Sequence, residues 1–598
     1  METKYIQKLS KESRHIGTRL SREYHVPRTR SLQKVIEGLS PFEKVLLWVL
    51  VATTTLSILV IISKINREVT TEIPVRGGVI KEGVIGAPRF INPLIATSDT
   101  DRDLVSLLYA GLMRPSKDGT LIPDIAERYT ISEDGTEYTF ILRDSVKFHD
   151  GTPLTADDVV FTVETAQDPA IKSTRRADWE GVTVEKITDR EVRFTLQQPY
   201  APFLENTTLG ILPRHIWLNV SPQEFAFSTF NTQPIGSGPF KLKNIDENSS
   251  GIPTRYELRA FSDYSLGRPY MNKFFMRFYA NEEELIHAYE TGAVTSLGAV
   301  SSNTLNEYLD RSSKLLQIDF PRIFAIFFNQ NKNRAFADKE VRAALDVLVD
   351  KDLIISEILN GYGTIIDSPL PPGTVTGQNI VSPPSLTRGE RIIAARGLLE
   401  NAGWEFNEAE SAWTDGEQLL SFTIATANTP ELKRAAEIVS KAWLDAGILV
   451  EVNVFETGDL NQNIIRPRDY EALLFGEIVG RSLDLFAFWH SSQKDDPGLN
   501  IALYTNASVD ELLSKARTIA NKKDRDSVYR RIEDIIKEDA PAIFLYSPDF
   551  LYIIPNAVKG VDIALVATPS ERFSEVHTWY TQTERVWNFF ESFNTFAN

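Results

Sequence analysis

The 598-residue chain contains no cysteine. That absence excludes disulfide scaffolds, thiolate metal sites, cysteine nucleophiles and a lipid-modified N-terminal cysteine. Histidine is scarce as well: His15, His25, His149, His215, His287, His490 and His577 never fall at metal-ligand spacing. H-E-x-x-H, a Walker loop, G-x-G-x-x-G after a strand and G-x-S-x-G are all missing. No cofactor or metal ion is therefore expected, and nothing demands catalysis. The chain also lacks internal repeats and low-complexity stretches. Its net charge of −17 repels phosphates, so duplex nucleic acid is excluded as a main partner. A content of 42% hydrophobic and 24% charged residues is that of a globular protein, neither disordered nor polytopic in a membrane.

The charge is unevenly spread. Residues 1–44 hold ten Lys/Arg and five Glu, a balance of +5, which leaves −22 on the remainder. Between the two lies Val45–Ile62, eighteen residues without a charge. As a helix this run is ~27 Å long, the thickness of a hydrocarbon core. Lys44 and Lys64 bracket it, and Trp48 sits near one end, where indoles favour the interface. A signal-peptide apolar region is shorter, starts closer to the N-terminus and is followed by a small-residue cleavage site. The segment is therefore expected to be a single membrane span. The basic flank places residues 1–44 in the cytoplasm and the acidic body outside. Tyr5–Leu20 has an amphipathic pattern suited to anionic lipid or a partner, or to a solvated arm.

Beyond a polar connector at Arg67–Arg76, the body alternates strands and helices. Asp101–Leu112 has apolar residues at helical spacing, with Asp101 or Asp103 at its start. Val182–Ile187 and Val192–Leu196 flank a four-residue turn and alternate in polarity, the pattern of an antiparallel hairpin. Thr155 is placed to cap a helix that begins at Ala156. Leu419–Ala425, a helix Pro430–Ala446 closed by Gly447, and the alternating Ile448–Val454 read as a parallel βαβ unit. A further helix, Glu390–Ala402, ends at Gly403. The fold class is α/β with mixed sheets.

Candidate acid pairs, Asp157-Asp158 and Asp495-Asp496, are adjacent in sequence, so their side chains diverge; solvated surface or capping is their default. Pro234–Phe240 (PIGSGPF) flanks Ser237 with Gly236 and Gly238, but its prolines describe a fixed irregular loop rather than a catalytic elbow. In order along the chain stand Leu108-Tyr109-Ala110-Gly111-Leu112, Ile122–Glu127, Ser132–Phe140, Lys147–Val159 (KFHDGTPLTADDV), Ile235–Phe240 and Asp338–Leu345. This series resembles the family 5 solute-binding proteins of ABC importers, the oligopeptide, dipeptide and nickel-binding group. The resemblance runs from about residue 75 to 580, and the Lys147–Val159 block is its most specific part.

The resemblance implies a bilobal clamp of the periplasmic-binding-protein type (type II, three-domain, cluster C), here with one N-terminal transmembrane helix. A small solute, such as a peptide, would be captured in the interlobe cleft and delivered to ABC transporter permease subunits. An envelope scaffold or sensor that keeps the clamp without a permease is the alternative, favoured by the basic tail. The expected parts are a tail (1–44), a membrane helix (45–64), a linker (65–76), lobe I (75–110, 231–300 and 541–598), a peripheral domain (111–230) and lobe II (301–540). Peptide-binding relatives anchor the ligand's amine on an aspartate late in lobe II. The matching stretch here is Leu474–Ser492, and that position falls on or near Arg481, with Asp484 matching the later acid of the motif. Arg481 would bind a carboxylate or phosphate, or pair with Glu477 or Asp484 and shape the pocket; alternatively Asp484 meets the amine. Phe486, Phe488 and Trp489 would line the cleft or belong to the core. Gly236, Ser237 and Gly238 would admit a ligand or the opposite lobe close to backbone, or serve as scaffold.

Overall fold

A computed structural model describes residues 36–298, 301–302, 312–375 and 386–587. The Tyr5–Leu20 stretch and most of the basic tail lie outside these residues.

The chain divides into two compact units, one made of residues up to Ile73 and from Glu584 onward, the other of Pro74–Thr583. The first is dominated by a helix, Pro41–Glu68. Ser40 and Glu43 form a reciprocal capping box at its start, with proline in the first turn. Residues Pro41–Asn66 form a helix long and apolar enough to cross a membrane, and none of its apolar window is buried by the protein. Two of its hydroxyls bond within the helix: Thr53 donates to the Val49 carbonyl at 2.9 Å and Thr55 to that of Val51 at 2.8 Å. The expected connector is a strand instead: Thr70–Val75 pairs with Gln582–Trp587. Its β-branched Thr-Thr-x-Ile pattern is short, and the partner lies at the far end of the chain.

The second unit holds three main sheets. Seven strands run in the order Ser313–Ile318, Phe550–Pro555, Ser296–Gly298, Val79–Ile85, Lys273–Tyr279, Pro253–Ala260 and Phe240–Glu247. Six run in the order Gly363–Ile365, Ala542–Pro548, Arg322–Phe328, Ala472–Ile478, Ser421–Ala427 and Leu449–Phe455. A four-stranded antiparallel sheet comprises Ala126–Ile131, Glu137–Leu142, Glu191–Thr195 and Thr183–Thr188. The predicted hairpin is the last pair of that sheet. The predicted βαβ unit is present in parallel register, Ser421 opposite Leu449, around the helix Pro430–Leu444. Gly447 turns the chain at φ +84°, a conformation only glycine takes without cost. Thr155 occupies the N-cap of Ala156–Gln167, with Asp158 accepting its backbone N–H at 2.9 Å. The helix expected over Asp101–Leu112 runs Asp99–Leu108, because Ser98 caps it by accepting the Asp101 N–H.

Each large sheet buries its own core. Phe327, Trp443 and Trp489 lie in that of the six-stranded sheet, and Tyr256, Phe274 and Trp579 in that of the seven-stranded sheet. Among the described residues the chain passes between these sheets twice, at Asp319–Pro321 and at Asp549. The changes of sheet thus fall at 319–321 and 549, rather than at the boundaries of 301 and 541 expected from the sequence. Ser313–Ile318 and Ala542–Pro548 are apolar strands, and nothing local marks which sheet each joins.

Both passages carry an aspartate. Burial raises Asp319, while burial and the charge of Asp319 push Asp549 up to about 6. Below pH ~4 a carboxyl is protonated in both folded and unfolded chains, so it costs nothing. Between ~4 and 6 the unfolded chain ionises first, and above 6 the penalty is complete. Asp549→Asn is therefore expected to raise the unfolding free energy at pH 7.5, as read from denaturant titration, by ~1 kcal/mol or less because the side chain is partly solvated. The gain should vanish at pH 4; one independent of pH would contradict this account.

Candidate functional site

A cavity of about 480 Å³ is walled by the helix Asp99–Leu108 and the segment that follows it, by Glu205 and Thr208–Gly210, by the turn Pro569–Phe573 and by the chain that leaves the six-stranded sheet at Ile478. That helix presents Arg102, and the chain beyond it Tyr109. The four-residue helix Phe203–Asn206 presents Glu205, the end of the strand Ala472–Ile478 leads to Arg481 and Ser482, and the 3-10 turn Pro569–Phe573 presents Glu571.

Arg481 lines this cavity with its side chain only 8% exposed. One η nitrogen donates to Glu205 Oε1 at 2.9 Å and the other to Glu571. Glu571 is itself positioned by the backbone N–H of Ala567 at 2.6 Å. The Arg481 Nε–H and the Tyr109 hydroxyl are buried and meet no acceptor among the described residues. Burial holds Glu205 above the usual carboxylate range, opposed by Arg481 and reinforced by Glu571. One guanidinium between two carboxylates leaves a single net negative charge when both are ionised. Neither Glu477 nor Asp484 is the partner of Arg481. Glu477 is buried with no side-chain hydrogen-bond partner among the described residues, and desolvation raises it far above its ordinary value.

Asp484 belongs to a second contact across the cleft. It accepts from Arg517 Nε at 2.9 Å and Nη2 at 2.6 Å, and from the Tyr200 hydroxyl at 3.2 Å. Phe486 lies beneath the Arg517 guanidinium, 3.8 Å from its ring centre, and stacks on His490 at 4.0 Å. The Arg517 carbonyl accepts the Ala201 N–H at 2.7 Å. Tyr200 and Ala201 follow the four-stranded sheet, whereas Asp484 and Arg517 follow strands of the six-stranded one.

The remaining candidates do not line the cavity. Trp489 is fully buried against Phe327, Tyr504 and Phe544. Gly236 and Gly238 press on the backbone of Leu108 and Tyr109, where any Cβ would overlap the chain, and Ser237 is buried between them. His149, from the most specific sequence block, closes this joint. The Gly236 N–H donates to Nδ1 at 3.3 Å, so the other ring nitrogen carries the proton and faces the Gly238 carbonyl at 3.1 Å. Burial lowers His149 to about 4, keeping the ring neutral. The block and the glycine loop thus brace the chain that carries Tyr109 into the cavity.

Residues 120–498 match the model of bacterial extracellular solute-binding proteins, family 5 Middle. The chain belongs to this family. The oligopeptide-binding protein AppA of Bacillus subtilis is 29% identical over 493 residues, which cover 81% of this chain and 89% of AppA. Its structure with a nonapeptide superimposes with a TM-score of 0.64 at 28% identity, covering 85% of this chain and all of AppA. The ABC transporter substrate-binding protein CtaP of Listeria monocytogenes superimposes with a TM-score of 0.71 at 26% identity, over 85% of this chain and 99% of CtaP. The family 5 clamp accounts for the paired large sheets. The site residues that sequence reasoning missed are Glu205, Glu571, Tyr200 and Arg517. Arg481 lies 276 positions from Glu205 and 90 from Glu571, and Tyr200 lies 284 from Asp484. No spacing within a single element could have announced them.

Proposed function

We propose that this family 5 protein is a membrane-anchored subunit of an ABC importer that captures peptides or similar small solutes in the interlobe cleft. The observation that carries this reading is the cavity of about 480 Å³, of ligand size, walled jointly by the helix Asp99–Leu108 and the turn Pro569–Phe573, which pack into the core of the seven-stranded sheet, and by the chain leaving the six-stranded sheet at Ile478. Closure around a solute replaces water by contacts from both sides, and the solute drives it by binding the closed arrangement better. Arg481, Glu205 and Glu571 face the solute, while Asp484, Phe486 and Arg517 meet Tyr200 as the cleft shuts. The helix Pro41–Glu68 holds the body at the outer membrane surface, with residues 1–44 in the cytoplasm, in reach of the permease subunits. AppA bears a nonapeptide, which makes peptides the first class to test.

The test is mass spectrometry of small molecules released from the detergent-solubilised full chain, followed by titration calorimetry of each against ligand-stripped protein. Released peptides that rebind with one-to-one stoichiometry are expected. A chain that releases no small solute and gives no heat with peptides of two to ten residues does not have this function.

A further inference from the structure

A second cavity of about 420 Å³ lies beside the first, lined by Leu121, Ala201, Thr374, Ala520, Lys522 and Arg525 among others. Among the described residues the two have three lining residues in common: Glu205, Arg481 and Ser482. The Arg481–Glu205 ion pair, with one serine beside it, stands where the two meet. Arg481 hangs from Glu571 on the far side, and Glu571 is held by a backbone N–H, so the guanidinium is anchored at one end and reaches across to Glu205. Replacing Arg481 removes one long side chain and leaves the other lining residues of both cavities in place. Joined, the chambers hold about 900 Å³, near the upper end of the range for small-molecule sites.

We infer that the Arg481–Glu205 pair is a partition that sets the length of peptide this protein accepts. The inference rests on the peptide-capture reading above. With the partition in place a ligand is confined to the first chamber; without it, the chain of the ligand continues into the second. A chamber of 420 Å³ is ~7.5 Å across, and an extended peptide advances 3.3–3.6 Å per residue, so the gain is about two residues.

The experiment measures the length distribution of peptides carried from one expression host by the detergent-solubilised full chain, as wild type and as variants. Arg481→Ala is expected to shift the median length upward by about two residues. Adding Ala201→Trp, which fills the second chamber without touching the first, should return the distribution to that of wild type. Arg481→Lys keeps the charge but has no fork with which to bridge two carboxylates. It should lengthen the distribution by a smaller step, and it serves as the decisive variant if Arg481→Ala does not fold. A wild type that carries no peptide overturns the peptide reading and this inference with it. A wild type that carries peptides, with unchanged lengths in Arg481→Lys and in any folded Arg481→Ala, overturns the partition alone. A double variant that still carries the longer peptides also overturns it, since the added length would lie elsewhere.

Discussion

Arg572→Met is expected to lower the unfolding free energy by about 3–5 kcal/mol, the usual cost of stranding buried charges. The Arg572 side chain is 2% exposed, and those of its partners Glu82 and Asp103 are 0% and 4% exposed. The guanidinium bonds Asp103 in a fork at 2.8 and 2.6 Å, Glu82 at 3.0 Å and the Pro569 carbonyl at 2.8 Å, while the Tyr552 hydroxyl donates to the second Glu82 oxygen at 3.0 Å. Its planar face lies 4.0 Å from the centre of the Phe573 ring. Methionine retains much of the packing but leaves two carboxyl groups in an apolar interior. Burial already pushes Asp103 up to about 6 against the pull of Arg572. Without the cation its folded-state value rises further above the unfolded value of ~4, so the variant must hold a proton to stay folded. The loss should therefore be larger at pH 8 than at pH 5, as read from guanidinium denaturation at both values. Converting Glu82 and Asp103 to apolar residues in the same chain should recover much of it, since an apolar replacement of a whole buried ion cluster is often neutral or better. An equal loss at both pH values would refute the charge argument.

Trp489→Ala should cost a comparable ~3–5 kcal/mol, the range for emptying an aromatic site in a core. The residue stands in the stretch where the resemblance places ligand contacts, yet it is fully buried among Phe327, Tyr504 and Phe544. A lining residue and a core residue are separated by two measurements on one variant. The core assignment requires a lower denaturation midpoint with an unchanged dissociation constant for the peptide pool in the fraction that remains folded. Intact stability together with lost binding would place Trp489 on the ligand instead.

Much of the local architecture is legible in the sequence. Val45–Ile62 declared its helix by an unbroken apolar run, and Ser421–Phe455 its βαβ unit by alternation, a proline-led helix and Gly447. These signals are local, because a helix or a parallel crossover is built within a few tens of residues. The family was legible from the ordered motifs, of which the most specific, Lys147–Val159, turned out to brace backbone rather than touch the cavity. Arg481 was singled out because it departs from the family pattern, but its partners were not found. Glu477 and Asp484 are its neighbours in sequence, whereas Glu205 and Glu571 are its neighbours in space. The same blindness hid the strand Thr70–Val75 and the true points at which the chain changes sheet. In each case the partner is supplied by a distant segment, and a single sequence holds no periodicity for such a pairing.

The buried ion cluster has a consequence for biosynthesis. Glu82 and Arg572 are 490 positions apart, so a ribosome adding about 5–20 residues per second separates them by roughly 25–100 s. Throughout that interval Glu82 and Asp103 lack their counter-charge, and for most of it the seven-stranded sheet lacks Phe550–Pro555, the strand that joins its Ser296–Gly298 and Ser313–Ile318 members. The N-terminal half cannot complete its own core while the chain is being made. It has to be kept from aggregating until the strand Phe550–Pro555 and Arg572 emerge. A truncation that removes only residues 572–598 should leave the emerging chain to proteases rather than yield a shorter binding protein.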